Sequence, residues 1–84
     1  MSLFKKYKRK QIAELRPVDK QDITFYDMYG KLLVDDYITV SISDVDRENG
    51  SPKMGDMVAR NPNNHLDQWL VARKYFEGNF ELID

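Results

Sequence analysis

Positions 5–10 read Lys5-Lys6-Tyr7-Lys8-Arg9-Lys10, five cations around one ring, with Phe4 directly before them. Cations neutralise phosphates and aromatic rings stack on bases, so this composition suits contact with nucleic acid. These charges place +5 in the first ten residues, and the net charge of −1 leaves −6 on the other seventy-four. An acidic body repels a phosphate backbone, and a basic arm next to such a body serves equally well as a solvated tail.

His65 is the single histidine, and the chain has no cysteine, so a Cys/His zinc set cannot be assembled within one chain. His65 and Asp67 form a His–Asp pair able to exchange a proton, yet no nucleophile accompanies them. Thr39, Ser41, Ser43 and Ser51 fall in no nucleophile motif and suit backbone capping instead. Asp44, Asp46, Glu48 and Asn49 ahead of Gly50 offer the clustered oxygens that calcium prefers. The register does not fit, because the glycine arrives one place late and Gly55 stands where the closing glutamate belongs. The expectation is therefore a protein without a catalytic, metal or cofactor site, and not an enzyme. If a loop site exists, its residues are Arg60, Asn61, Asn64, His65, Asp67 and Trp69, gathered around the Asn61-Pro62-Asn63-Asn64 turn. Trp69, Tyr75, Phe76 and Phe80 lie within twelve residues, and in a domain short of apolar volume they are expected to furnish the core, the alternative being an exposed partner-binding patch.

The elements that position these residues follow from patterning. Eighty-four residues make one small domain, and a 42% hydrophobic share with ten aromatics suffices for one compact core. The absence of cysteine removes disulfide staples and points to a reducing compartment, the cytoplasm; no apolar run approaches a membrane span. Ile12, Glu14 and Arg16 alternate against Ala13, Leu15 and Pro17, which predicts a strand within 8–18 that Pro17 ends or places at an edge. Residues 23–29 fit neither a helical nor a strand period cleanly. Residues 31–34 and 37–42 predict two strands around Asp35-Asp36, and Ser43 caps a short helical turn through Arg47. Residues 55–60 and 67–71 predict an antiparallel pair, 72–78 a short helix, and Phe80 onward an extended end. The sum is an α+β fold: a small antiparallel sheet or open barrel of four to five short strands with one or two short helices. Residues 1–10 form a basic N-terminal arm and 11–84 a single domain.

The segment running from Gly50-Ser51-Pro52-Lys53-Met54-Gly55-Asp56-Met57-Val58-Ala59-Arg60-Asn61-Pro62, through Asp67-Gln68-Trp69-Leu70-Val71, to Tyr75-Phe76-Glu77-Gly78-Asn79-Phe80-Glu81, resembles small uncharacterised proteins of tailed phages and enterobacterial prophages. The resemblance covers most of the chain. It implies a phage context and carries no catalytic residues with it. The functional expectation is a phage or prophage accessory protein that binds a host or phage protein, the alternative being a nucleic-acid-binding module that uses the basic arm. Homodimerisation through an open strand edge is a further option, since it would bury apolar surface that so small a core leaves exposed.

Overall fold

The computed structural model describes residues 4–5 and 12–82. Its chain order is β1 (Glu14–Pro17), α1 (Lys20–Tyr29), β2 (Leu33–Val34), β3 (Ile38–Ser41), α2 (Asp44–Glu48), β4 (Met57–Asn61), β5 (Asn64–Val71) and α3 (Arg73–Asn79). This is the expected α+β class, with five strands and, among the described residues, three helices. The strands form one curled sheet in the order β1-β4-β5-β3-β2.

Helix α1 resolves the segment whose period was ambiguous. Asp19 closes a capping box at its start: its side chain accepts from the Asp22 N–H at 2.9 Å, and the Asp22 side chain accepts from the Asp19 N–H at 3.0 Å. At the other end Gly30 takes the left-handed conformation, φ +69°, and its N–H donates to the Tyr26 carbonyl. The helix is apolar on two sides. Ile23 and Tyr26 pack on the core, whereas Met28 and Tyr29 are exposed on the opposite side. Arg16 on β1 grips the same cap, with Nη1 2.8 Å and Nη2 3.1 Å from the two Asp22 oxygens.

Ser43 caps α2 as expected, accepting from the Asp46 N–H at 3.1 Å. Arg47 ties α2 to α1, donating to the Tyr26 hydroxyl at 2.9 Å with its guanidinium over the Tyr26 ring. β1 and β5 both run antiparallel to β4, and β2 runs antiparallel to β3, but β3 lies parallel to β5 through Val40 opposite Gln68 and Ser41 opposite Trp69. The parallel pair is where the sheet departs from the purely antiparallel expectation. Residues 42–56 supply the long crossover that a parallel pair needs.

Strand pairing sorts the side chains onto two faces. Val40, Val58 and Leu70 share one face and, with Val18 and Leu32, make an aliphatic core against α1. Leu15, Ala59, Trp69 and Ser41 align across the other face.

Asp56 joins three segments at the edge of this core. It is fully buried; one carboxylate oxygen accepts from the Ser51 hydroxyl at 2.7 Å and the Lys53 N–H at 3.0 Å, and the other from the Arg73 N–H at 3.0 Å. The last bond caps α3 from a distance, because Ala72 at the N-cap has no side chain able to do so. The preceding Gly55 sits at φ +99°, a conformation that residues with a Cβ rarely adopt, so glycine is the residue that brings Asp56 to that helix end without strain. No buried side-chain polar atom among the described residues lacks a partner.

Two stability predictions follow from these bonds. Asp56→Ala strands a buried hydroxyl and two N–H groups, and should cost at least about 3 kcal/mol in urea unfolding, taking charge-assisted bonds at about 1.5 kcal/mol or more each; Asp56→Asn should recover part of this, since its amide oxygen can still accept. For Asp22, burial raises the carboxyl pKa, but the Arg16 hydrogen bond and the Asp19 backbone N–H outweigh it and hold the group below its ordinary 3.8. A carboxyl depressed in the folded state contributes stability that is complete above its unfolded value and is lost as pH falls through the folded one. Acid titration of unfolding free energy should therefore show a loss below about pH 4 that is smaller in Asp22→Asn.

Candidate functional site

Of the arm residues, Lys5 is exposed, and Lys6, Tyr7, Lys8, Arg9 and Lys10 lie outside the described residues. The loop residues fall into three groups: Arg60 and His65 beside Glu14, Asn61, Asn64 and Asp67 at the β4–β5 hairpin, and Trp69 on the opposite face of the sheet.

On the core-facing side, Glu14 on β1 stands opposite Arg60 on β4, and Arg60 stands opposite Gln68 on β5. The Arg60 Nε donates to the Glu14 Oε1 at 2.9 Å, and the His65 Nε2 lies 3.5 Å from the same oxygen. His65 thus turns to Glu14, and no hydrogen bond among the described residues joins it to Asp67, the partner considered for proton exchange. Gln68 is buried and donates from Nε2 to the His65 carbonyl at 2.9 Å, which fixes the bend at the start of β5. Glu14, Arg60 and Gln68, with Arg16, Val34 and Val58, line a cavity of about 380 Å³. Its cations are each matched by a carboxylate: Arg60 by Glu14 and Arg16 by Asp22. The cluster is a self-compensated frame with no nucleophile.

Asn61 and Asn64 serve the hairpin between β4 and β5. The Asn61 side chain accepts from the Asn63 N–H at 2.9 Å and the Asn64 side chain from the Leu66 N–H at 3.2 Å, while Asp67 is exposed.

Trp69 lies on the other face, and its placement corrects the expectation that it belongs to the core. The core is built from Val18, Leu32, Val40, Val58 and Leu70; Trp69 is only half-buried, Phe76 and Phe80 likewise, and Tyr75 is 55% exposed. The physical reason is register. β5 gives Leu70 to the core face, so Trp69 must point the opposite way. Helix α3 folds back beside it, and Phe80 packs on both Tyr75 and Phe76, with ring centroids 6.1 Å and 5.9 Å apart. The result is a groove of about 380 Å³ whose walls include Ile12, Asp46, Trp69, Tyr75 and Phe80.

The sequence reading missed Ile12 and Asp46 at the groove and Glu14 and Gln68 at the frame. No local signal joins Glu14 to Arg60, which are 46 positions apart. Among the described residues no three His, Cys, Asp or Glu side chains gather as a metal set, and no helix is long and apolar enough to cross a membrane. The chain matches no family model, and no curated protein or solved structure is significantly similar to it.

Proposed function

We propose that the chain is a non-catalytic binding module, a bacteriophage accessory protein acting in the cytoplasm of its bacterial host, and that it takes a segment of a host or phage protein into the groove at Trp69. The observation that carries this reading is the half-buried tryptophan. The domain fills its core with aliphatic side chains and leaves its one indole, flanked by Tyr75 and Phe80, in an open groove. Covering one large apolar side chain is worth about 1.5–3 kcal/mol, and Trp and Tyr are the residues that most often dominate protein interfaces.

Charge indicates the kind of segment. Asp46 forms part of the groove wall, Asp44 and Glu48 lie on the same helix, and the chain beyond residue 10 carries −6. An apolar anchor residue next to a lysine or arginine would fill the groove and meet Asp46. The phage context rests on the resemblance of the Gly50–Pro62, Asp67–Val71 and Tyr75–Glu81 segments.

The reading is tested by placing a photo-crosslinking phenylalanine analogue at Tyr75 in bacteria. A discrete protein adduct is expected, resistant to nuclease and mapping to a segment with an apolar residue beside a Lys or Arg. Asp46→Asn, which leaves the core untouched, should reduce the adduct several-fold, and Trp69→Ala should abolish it. No adduct, or one indifferent to both substitutions, overturns the reading. An adduct that disappears with nuclease overturns it in favour of nucleic acid held by the Lys5–Lys10 arm.

A further inference from the structure

The outward side of α1 carries apolar surface that nothing among the described residues covers. Met28 is 67% and Tyr29 58% exposed, and the Phe25 ring lies 4.6 Å from that of Tyr29, so the two rings form one ledge. With Lys20 and Thr24 these side chains border a shallow depression of about 420 Å³. Apolar residues at spacings of three and four on the solvent side of a helix are a packing surface without its partner.

The charges on this helix identify the partner. Lys20 opens α1 and Asp27 lies in its last turn, each at the end where the helix macrodipole disfavours it. Asp19 and Asp22 near Lys20 are committed to the capping box and, for Asp22, to Arg16. Neither Lys20 nor Asp27 forms an ion pair among the described residues. Seven positions apart, they lie on the same flank of the helix, and in an antiparallel pair of identical helices each flank meets its own copy. The two-fold axis that sets Lys20 against the other copy's Asp27 passes close to Thr24, whose small side chain permits close approach. In that arrangement each lysine also faces the negative end of the neighbouring helix, so the charges unfavourable in the single chain become favourable in the pair.

We infer that α1 is a homodimer interface, two copies packing antiparallel through Thr24, Phe25, Met28 and Tyr29 with reciprocal Lys20–Asp27 pairs. This surface is independent of the Trp69 groove. The helix is also better suited to self-association than the strand edges, since β1 carries Pro17 and β2 has two residues.

Sedimentation equilibrium of the full chain tests the inference. The wild type should sediment at twice the 9.9 kDa chain mass, and Met28→Lys should weaken association by about tenfold or more while far-ultraviolet circular dichroism stays unchanged. Lys20→Asp and Asp27→Lys alone should each weaken the dimer a few-fold, and the double swap Lys20→Asp/Asp27→Lys should restore it at low salt. If Met28→Lys fails to fold, the charge swaps, which touch no buried group, carry the test. A wild type that stays monomeric, a dimer unaffected by Met28→Lys, or a double swap no stronger than its singles overturns the inference.

Discussion

One buried carboxylate holds the two halves of this chain together. Asp56 ends the loop before β4, and its two oxygens reach back to Ser51 and Lys53 and forward to the start of α3. The same residue's carbonyl accepts from the Val18 N–H at 2.9 Å, so the end of β1 is fixed to this point as well. A carboxylate so fully removed from water is tolerated only when its oxygens are satisfied, and here both are. The position of α3 follows from this, and with it the shape of the groove that α3 forms with β5.

The sheet then faces a shortage that small domains share. One face closes over a core of valines and leucines with α1 as its lid; the other, among the described residues, receives the short α3 with Asp46 of α2 at its margin, so its aromatic side chains stay half-covered. Opposite that groove, the Glu14–Arg60–His65 cluster neutralises its own charges and stiffens the hairpin end of the sheet. Exposed pairs of this kind contribute little to stability, and their effect is to set where β1 and β5 sit relative to β4.

Local chemistry was legible in the sequence. Ser43 as the α2 cap, the Asn61–Asn64 turn, the β-branched run of β3 and the spacing of α3 are signals confined to a few residues, and each element formed as expected. Helix α1 was not legible, because apolar residues that face the core (Ile23, Tyr26) interleave with others that face outward (Phe25, Met28, Tyr29) and blur the single stripe that marks an amphipathic helix. Its signal was the reciprocal Asp19–Asp22 cap, with aspartate where the familiar motif has glutamate or glutamine. The parallel β3–β5 pair and the opposition of Glu14 to Arg60 join distant segments, and the face taken by Trp69 depends on register, so none of these could be read from neighbours in sequence.

The strand order has a consequence for biosynthesis. The first strand, β1, finds its partner among the described residues in β4, forty or more positions later by their pairing register, and β3 waits for β5. While the chain is still emerging from the ribosome, Leu15 and the unpaired edge of β1 have nothing to pair with, and the core face of β3 has no neighbour but the two-residue β2. The sheet therefore cannot be completed until the β4–β5 hairpin has cleared the exit tunnel and can accept β1 on one side and β3 on the other.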